Sequence, residues 1–428
     1  MAMMIHTITL LATVLGLAYL GFMVLGAYRR QTHISQLHQD EREMFKARLD
    51  LITTPLAKVA NNKTQAWSGF RKFRVDGKVL EAESCCSFYL APHDGRPLPA
   101  YLPGQYLTFR LQIPGQPKEL TRCYSLSDSP DHSDYYRVTI KRIPPPGNKP
   151  DAPPGVVSGH FHERIQVGDI LDVKAPSGHF HLDPEHRNPV VLVGGGIGVT
   201  PALSMLNYLA TAPSKREVWF FYGIRNSREH MLRDALQEIA AEHENIHIVV
   251  CYSDPLPDEQ IGEDYHYGER VSVDLFKRVL GVNNFDYYIC GPAPMMESLT
   301  KGLTDWGVPE KRIHFEAFGP ASVKKVTKSD QAGSGSGTEA ADTNRIEVTF
   351  SRSNKKLMWS NSAGSLLEFA EANGISMDSG CRAGSCGTCA TAIRDGQVDY
   401  LRDPDFDIEK GSCLACVAVP KGPLSLDA

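Results

Sequence analysis

Four stretches between residues 73 and 143 alternate apolar and polar side chains: FRVDGKVL, SFYLAP, QYLTFRLQI and YYRVTIKRI, with Gly and Pro turns between them. Alternation with a period of two turns one face of each segment inward, so this region predicts an antiparallel β-barrel. From about Asn188 the pattern changes. VVLVGGGIGVTPALSMLNYL is a continuous apolar strand, a glycine turn and a helix, and EVWFFYGIR, HIVVCYS and DYYICGP supply later strands between helical stretches such as HMLRDALQEIAAEH. Strands that are apolar on both faces and separated by helices predict a parallel α/β sheet.

Two segments depart from this globular pattern. Thr7 to Tyr28 is apolar and without a charged side chain, long enough as a helix to cover ~30 Å of hydrocarbon. A cleaved signal peptide is the alternative, disfavoured by the absent basic leader and the absent small-x-small site. Arg29 and Arg30 follow the run, so the positive-inside rule gives a single-pass transmembrane anchor with the N-terminus outside and the catalytic bulk in the cytoplasm. Residues 31–66 then read as a polar juxtamembrane stalk. The second segment, residues 321–344, contains GSGSG and few apolar side chains; a coil of this kind reaches ~25 Å, which makes it a linker that lets the last domain swing or re-dock.

The chain has 428 residues, 42% of them hydrophobic, and a net charge of -5. That length calls for about three domains. The charge supplies no basic field, which argues against a nucleic-acid partner. The expected division is an anchor at 1–30, a stalk at 31–66, a barrel domain at 67–187, an α/β domain at 188–320, a linker at 321–344 and a last domain at 345–428.

That last domain carries the most specific chemistry. Cys381, Cys386 and Cys389 stand in CRAGSCGTC and Cys416 in CLACVAVP. Three thiolates at x4 and x2 spacing with one distant partner match the plant-type [2Fe-2S] ligand pattern, and the small residues between them let a loop wrap a cluster. A zinc site would show two short Cys pairs instead. Cys413, three residues before Cys416, is the competing fourth ligand. Cys416 is preferred because LACVAV resembles the closing segment of plant-type ferredoxins.

Two further motifs bind nucleotides in principle. The turn with Gly194, Gly195, Gly196 and Gly198 permits close backbone approach and is followed by a helix whose free N–H groups suit a pyrophosphate, although it has neither Walker nor GxGxxG spacing. In TRCYSLSD, Arg122 can neutralise a phosphate, Tyr124 can present a flat face to an aromatic ring, and Ser125 can hydrogen-bond a ring nitrogen.

RCYS, the upstream PGQY, the downstream PGVVSGHFHE, GGGIGVTP and CGPAPMM occur in one order. In that order they resemble the ferredoxin–NADP reductase superfamily over about Trp67 to Pro320, with WSGFRKF to CYSLSD especially similar to the reductase part of flavohaemoglobins. With the tail, the chain is similar to the electron-transfer components of multicomponent oxygenases and to the reductase of hybrid-cluster protein. The resemblance implies an α+β, β-grasp fold for the last domain. It implies that Arg122 pairs with a flavin pyrophosphate, that Tyr124 packs on the isoalloxazine and that Ser125 lies near its N5. Gly155, Val157 and Ser158 would bind the pyrophosphate, favouring FAD over FMN, and Gln105 and Tyr106 would line the same site. Gly195, Gly196, Thr200 and Pro201 would border the coenzyme pyrophosphate, with Cys290, Gly291 and Pro292 beside the nicotinamide; Thr200 has a plainer reading as a helix cap and Cys290 as a buried strand-end thiol. Phe318 matches the aromatic that covers the flavin, with Glu316 as the alternative contact.

Coenzyme choice turns on Ser253-Asp254. Where relatives that take NADPH place a basic residue, Asp254 would repel the 2'-phosphate and accept a ribose hydroxyl, favouring NADH; Arg225 and Arg228 are the residues that could reverse this. The implied enzyme is a membrane-anchored reductase carrying electrons from NADH to FAD to [2Fe-2S] and on to a separate oxygenase, desaturase or hybrid-cluster type acceptor, because a flavin takes two electrons together and releases them singly. A respiratory component delivering electrons toward quinone is the alternative, disfavoured because the ferredoxin-like domain there precedes the flavin domain.

Overall fold

The structure is a computed structural model that describes residues 67–145, 154–212, 215–316, 318, 345–380, 382, 384, 386–401, 404 and 408–428. The expectation of a membrane-spanning chain is corrected here. Among the described residues no helix is long and apolar enough to cross a membrane, and Thr7–Tyr28, the stalk and the 321–344 linker lie outside them.

The first sheet is antiparallel throughout. Its strands are β1 (Arg71–Ala82), β2 (Cys85–Pro92), β3 (Tyr106–Leu111), β4 (Leu120–Ser125), β5 (Tyr136–Lys141) and β6 (Ile170–Ser177), with helix α1 (Val156–Glu163) between β5 and β6. The spatial order is β4-β3-β6-β1-β2-β5, and a bridge from Leu126 to Val138 brings the two ends together. The alternation read from the sequence points Phe73, Val75, Phe88, Leu90, Leu107, Phe109, Val138 and Val173 into one core. α1 plugs that core with Phe161, whose ring meets Phe88, Phe109 and Tyr124 edge-on.

The second sheet is parallel. It comprises β7 (Val190–Gly195), β8 (Val218–Ile224), β9 (Ile246–Tyr252), β10 (Asp286–Cys290) and β11 (Ile313–Glu316), with α2 (Val199–Thr211), α3 (Arg233–Glu242), α4 (Val273–Leu280) and α5 (Ala293–Asp305) between strands. The order β11-β10-β7-β8-β9 reverses direction between β7 and β10. In open α/β sheets ligands lodge beyond the carboxyl ends of the strands at such a switch point. Here those ends are the glycine turn and Cys290-Gly291-Pro292.

A buried polar knot joins barrel to α/β sheet. Asp128, just after β4, lies 3.3 Å from Arg137 of β5, and its Oδ1 accepts from Asn207 of α2 at 2.9 Å. Its carbonyl accepts from Ser204 at 2.7 Å and from Tyr101 at 2.5 Å. Removing one partner of a buried ion pair strands the other charge, at about 3–5 kcal/mol. We expect Asp128→Ala to lower the urea midpoint accordingly, with Asp128→Asn recovering part of the loss.

The last sheet is mixed, in the order β13-β12-β18-β14-β16. It is built from β12 (Ile346–Phe350), β13 (Lys355–Trp359), β14 (Ala390–Asp395), β16 (Ser412–Leu414) and β18 (Leu424–Leu426), with β15 (Val398–Tyr400) and β17 (Ala418–Pro420) forming a separate pair. α6 (Leu366–Ala372) starts with a capping box between Ser365 and Glu368 and packs Leu366, Leu367, Phe369 and Ala370 into the core that holds Cys389, Cys413 and Cys416.

Candidate functional site

On β4, Arg122 is exposed and Tyr124 half-buried, both in register with the inward-facing row of β3, Phe109 and Leu107. The Tyr124 ring is braced edge-on by Phe109 at 5.8 Å and Phe161 at 5.4 Å, which leaves it stiffly held at the open edge of the barrel. Burial raises its phenol well above the usual range, so it stays neutral. Ser125 ends the strand, buried, opposite Tyr106. Gln105 is engaged locally: its Oε1 accepts from the Leu102 amide at 2.9 Å.

α1 packs against this edge through Phe161, which touches Tyr124. Gly155 caps it without any side-chain hydrogen bond, so the first-turn N–H groups are open to an anion. Val157 turns into the core. Ser158 Oγ is engaged within the chain, donating to Gly155 O at 3.1 Å and accepting from Ile143 N at 3.2 Å. A cation, a braced ring and an uncapped helix end fit a flavin dinucleotide.

Across the switch point, β7 runs into a tight turn at Gly196–Gly198 and then α2. A Cβ on Gly198 would stand 2.5 Å from Cys290 O, one on Gly195 2.7 Å from Met295 Sδ, and one on Gly291 3.1 Å from Gly195 Cα. The two strand ends therefore meet backbone to backbone. Gly196, at φ +54°, faces open space, a cradle for a coenzyme. Thr200 is buried in the first turn of α2 and donates to Ile197 O at 3.0 Å, while Gly198 holds the N-cap position without a side-chain hydrogen bond, and Pro201 is buried beside Thr200. Pro292 precedes α5 as its N-cap.

Cys290 pairs in register with Gly194 on one side and Glu316 on the other. Burial, with a smaller push from Glu316, holds its thiol far above the usual range. It is a neutral, compact wall and not a nucleophile. Phe318, two residues past β11, is 43% exposed.

Ser253 and Asp254 extend past β9 and are exposed. Their amides donate to Ile224 O and Arg225 O, both at 2.9 Å. Arg225 is engaged by Glu229 at 2.7 Å, and Glu229 also holds Lys141 of the barrel at 3.1 Å. Burial raises the Glu229 carboxyl, but hydrogen bonds from Arg225 and Lys141 outweigh it and keep it below the usual carboxylate range. Arg228 is exposed in the adjoining turn. Glu229 escaped the sequence reading, although its place four residues after Arg225 was a usable signal.

In the last domain Cys389 Sγ lies 3.0 Å from Cys416 Sγ, and Cys386 Sγ lies 3.2 Å from Thr388 Oγ1; all three thiols are buried. Cys381 lies outside the described residues. The loop winds through left-handed backbone at Arg382, Gly384 and Gly387 and is pinned to α6 by the bidentate pair of Arg382 with Glu371 at 2.6 and 2.8 Å. Cys413 instead sits inside the core on β16, where burial pushes its thiol up to about 12. The close pair Cys389–Cys416 beside a loop that glycine keeps tight suits an iron–sulfur cluster, although among the described residues no three donors stand together as a metal site.

This loop packs against the outer face of the barrel. A Cβ on Gly380 would stand 2.8 Å from Cys386 Sγ and 3.2 Å from Thr121 Cγ2, on the strand that carries Arg122 and Tyr124. Lys174 of β6 donates to Cys386 O at 3.0 Å, and Lys118 faces Asp378 at 3.9 Å.

Three domain families match along the chain in this same order: an oxidoreductase FAD-binding domain over residues 84–182, an oxidoreductase NAD-binding domain over 192–301 and a 2Fe-2S iron-sulfur cluster binding domain over 350–421. The chain belongs to the ferredoxin–NADP reductase superfamily. It is a member fused to a C-terminal [2Fe-2S] domain, and an NAD(P)H-dependent oxidoreductase. A flavohemoprotein of Halalkalibacterium halodurans is 39% identical over 285 residues, 66% of this reductase and 68% of the relative; for the Bordetella pertussis flavohemoprotein the aligned share of the relative is 64%. The reductase thus spans about two thirds of the length of these relatives. The flavohem-like FAD/NAD binding domain of a Vibrio cholerae nitric oxide dioxygenase is 32% identical with a TM-score of 0.51, covering 59% of this chain and 100% of that one. Phthalate dioxygenase reductase, described as modular for electron transfer from pyridine nucleotides to [2Fe-2S], is 26% identical with a TM-score of 0.50, covering 84% and 98%.

Proposed function

We propose that this reductase passes electrons from NADH through FAD and the [2Fe-2S] cluster to a separate acceptor protein of the oxygenase, desaturase or hybrid-cluster type. The observation that carries the reading is the packing of the cluster loop on the outer face of β4, whose opposite side holds Arg122 and Tyr124. Between the flavin-side and cluster-side residues there is then one strand of protein. FAD, when bound, accepts two electrons together from NADH and releases them one at a time.

The residues bind and orient. Arg122 and the first-turn amides of α1 beyond Gly155, Val157 among them, hold the FAD phosphates; Tyr124, Ser125 and Tyr106 set the ring, with Gln105 shaping its own loop at Leu102 and Ser158 tying the segment after β5 at Ile143 to the start of α1. Gly195, Gly196, Thr200 and Pro201 shape the coenzyme path, and Cys290, Gly291 and Pro292 wall the nicotinamide end and exclude water. Glu316, half-buried and in register with Cys290, and exposed Phe318 are the two candidates for the flavin contact. Cys381, Cys386, Cys389 and Cys416 hold the cluster. Domain limits near 187 and 320 follow from the same division.

Anaerobic titration with NADH tests the relay. Flavin absorbance should bleach and the cluster should become EPR-active, whereas a bleached flavin beside a cluster that stays oxidised would refute the order. Electron delivery to a quinone that survives loss of the cluster would favour a respiratory role instead.

Coenzyme choice follows from Asp254 and from the engagement of Arg225 by Glu229. Glu229→Gln with Asp254→Arg releases one cation and adds another. We expect the ratio of kcat/KM for NADH over NADPH to fall by about tenfold or more, since charge-assisted contacts to a phosphate are the strong ones; an unchanged ratio would remove both carboxylates from the explanation.

A further inference from the structure

We infer that Lys174, a residue of the flavin domain, is the positioning residue for transfer to the cluster: it docks the cluster loop and raises the reduction potential of the cluster it touches. The inference rests on the relay proposed above.

The outer faces of β4, β3 and β6 form two rows in register. Thr121, Arg110 and Asp172 lie across from one another, and so do Cys123, Thr108 and Lys174. The inward rows between them, with Phe109 and Val173, fill the barrel core. Period-two alternation thus obliges Lys174 to face away from that core, and what it faces is the loop of the last domain. Its ammonium donates to the carbonyl of Cys386 at 3.0 Å in a partly buried setting. It lies 5.3 Å from the Phe70 ring, which also carries the Arg110 guanidinium at 4.1 Å. Arg110 is tied in turn to Asp172 at 3.5 Å. The ammonium is therefore held against an aromatic face and aimed at the backbone of a cysteine that carries a cluster thiolate.

Two consequences follow from charge. A cluster gains one negative charge on reduction, and a cation hydrogen-bonded to the peptide of a ligand stabilises the reduced form more than the oxidised one. The same bond holds the loop beside β4 with Thr121 against Gly380. The peripheral Lys118–Asp378 pair is mostly exposed on both sides, so it contributes little by comparison. Lys174 is the partly buried contact and carries the specificity.

The experiment uses full-length protein loaded with FAD and cluster. Lys174→Met removes charge and donor, and Lys174→Arg keeps both. In Lys174→Met, NADH should bleach the flavin at the wild-type rate, cluster reduction in stopped flow should slow about tenfold, and an EPR-monitored redox titration should show the one-electron equilibrium shifted by about three- to tenfold against reduction, up to ~59 mV. Amides of residues 380–390 should exchange faster with solvent. Lys174→Arg should restore all three. If potential, transfer rate and exchange in Lys174→Met all match wild type, or if Lys174→Arg fails like Lys174→Met, the inference is overturned. If Lys174→Met does not load a cluster, Lys174→Gln is read the same way, and a wild-type potential and transfer rate in it overturn the inference. Failure of the relay itself has a different sign: the wild-type cluster would not be reduced by NADH at all.

Discussion

Cys416→Ser abolishes the [2Fe-2S] absorbance and EPR signal while NADH still bleaches the flavin at an unchanged rate. The expectation rests on three local facts. Cys416 Sγ is 3.0 Å from Cys389 Sγ, the Ala415 amide donates to Cys389 O at 3.1 Å, and Ala415 O accepts from Leu367 at 2.9 Å, which locks that turn to α6. Cys413, three residues earlier, lies on β16 opposite Thr391 and is fully buried among apolar side chains. A metal ligand is a thiolate, and burial, the largest influence on the Cys413 thiol, disfavours that form. Cys413→Ser should keep the cluster and cost about 1–3 kcal/mol for a hydroxyl placed in an apolar core. Read by cluster content and by urea melts, a cluster lost in Cys413→Ser and kept in Cys416→Ser would reverse the ligand assignment.

The strands, the glycine turn and the cysteine loop were legible because each is written in a short window. FRVDGKVL, QYLTFRLQI and YYRVTIKRI alternate with a period of two, and they fall in or around β1, β3 and β5. VVLVGG, flat with apolar residues, is the central strand β7. The contacts that join the domains were not legible, for a physical reason. Alternation fixes that Lys174 points outward but says nothing of what covers it, and the carbonyl it meets lies in another domain. Asp128 was read only as the end of CYSLSD, yet it binds Arg137 and Tyr135 from the β5 segment and Asn207 from α2. Thr200 and Ser158 differ in that their own segments supply a partner. Their types suited a phosphate, but each hydroxyl is satisfied by a carbonyl three residues before it, a local bond that the spacing alone permits. The apolar run near the N-terminus was a window signal of the same kind, and the described residues hold no helix that crosses a membrane.

Gly198→Ala and Gly196→Ala should separate packing from coenzyme contact, two residues apart in one turn. Gly198 has an ordinary φ of -62°, so alanine adds no backbone strain; the whole effect is steric. The new Cβ would lie 2.5 Å from Cys290 O and 2.6 Å from Gly291 Cα, backbone atoms that cannot rotate away, so the β10 end must move by several tenths of an ångström. In the proposed relay that end walls the nicotinamide position. A displacement approaching 1 Å at a reacting centre costs about 10²-fold, and we expect NADH-driven flavin reduction to slow by about that much while dithionite still reduces flavin and cluster fully. Gly196 differs in both respects. At φ +54° it meets nothing within 4 Å, so alanine costs about 1–2 kcal/mol of left-handed strain and places a methyl in the space left for the coenzyme. The expected result there is a higher KM for NADH with a limiting rate close to wild type. Equal losses of limiting rate in the two variants would mean that the contact between the glycine turn and the end of β10 does not set the geometry of hydride transfer.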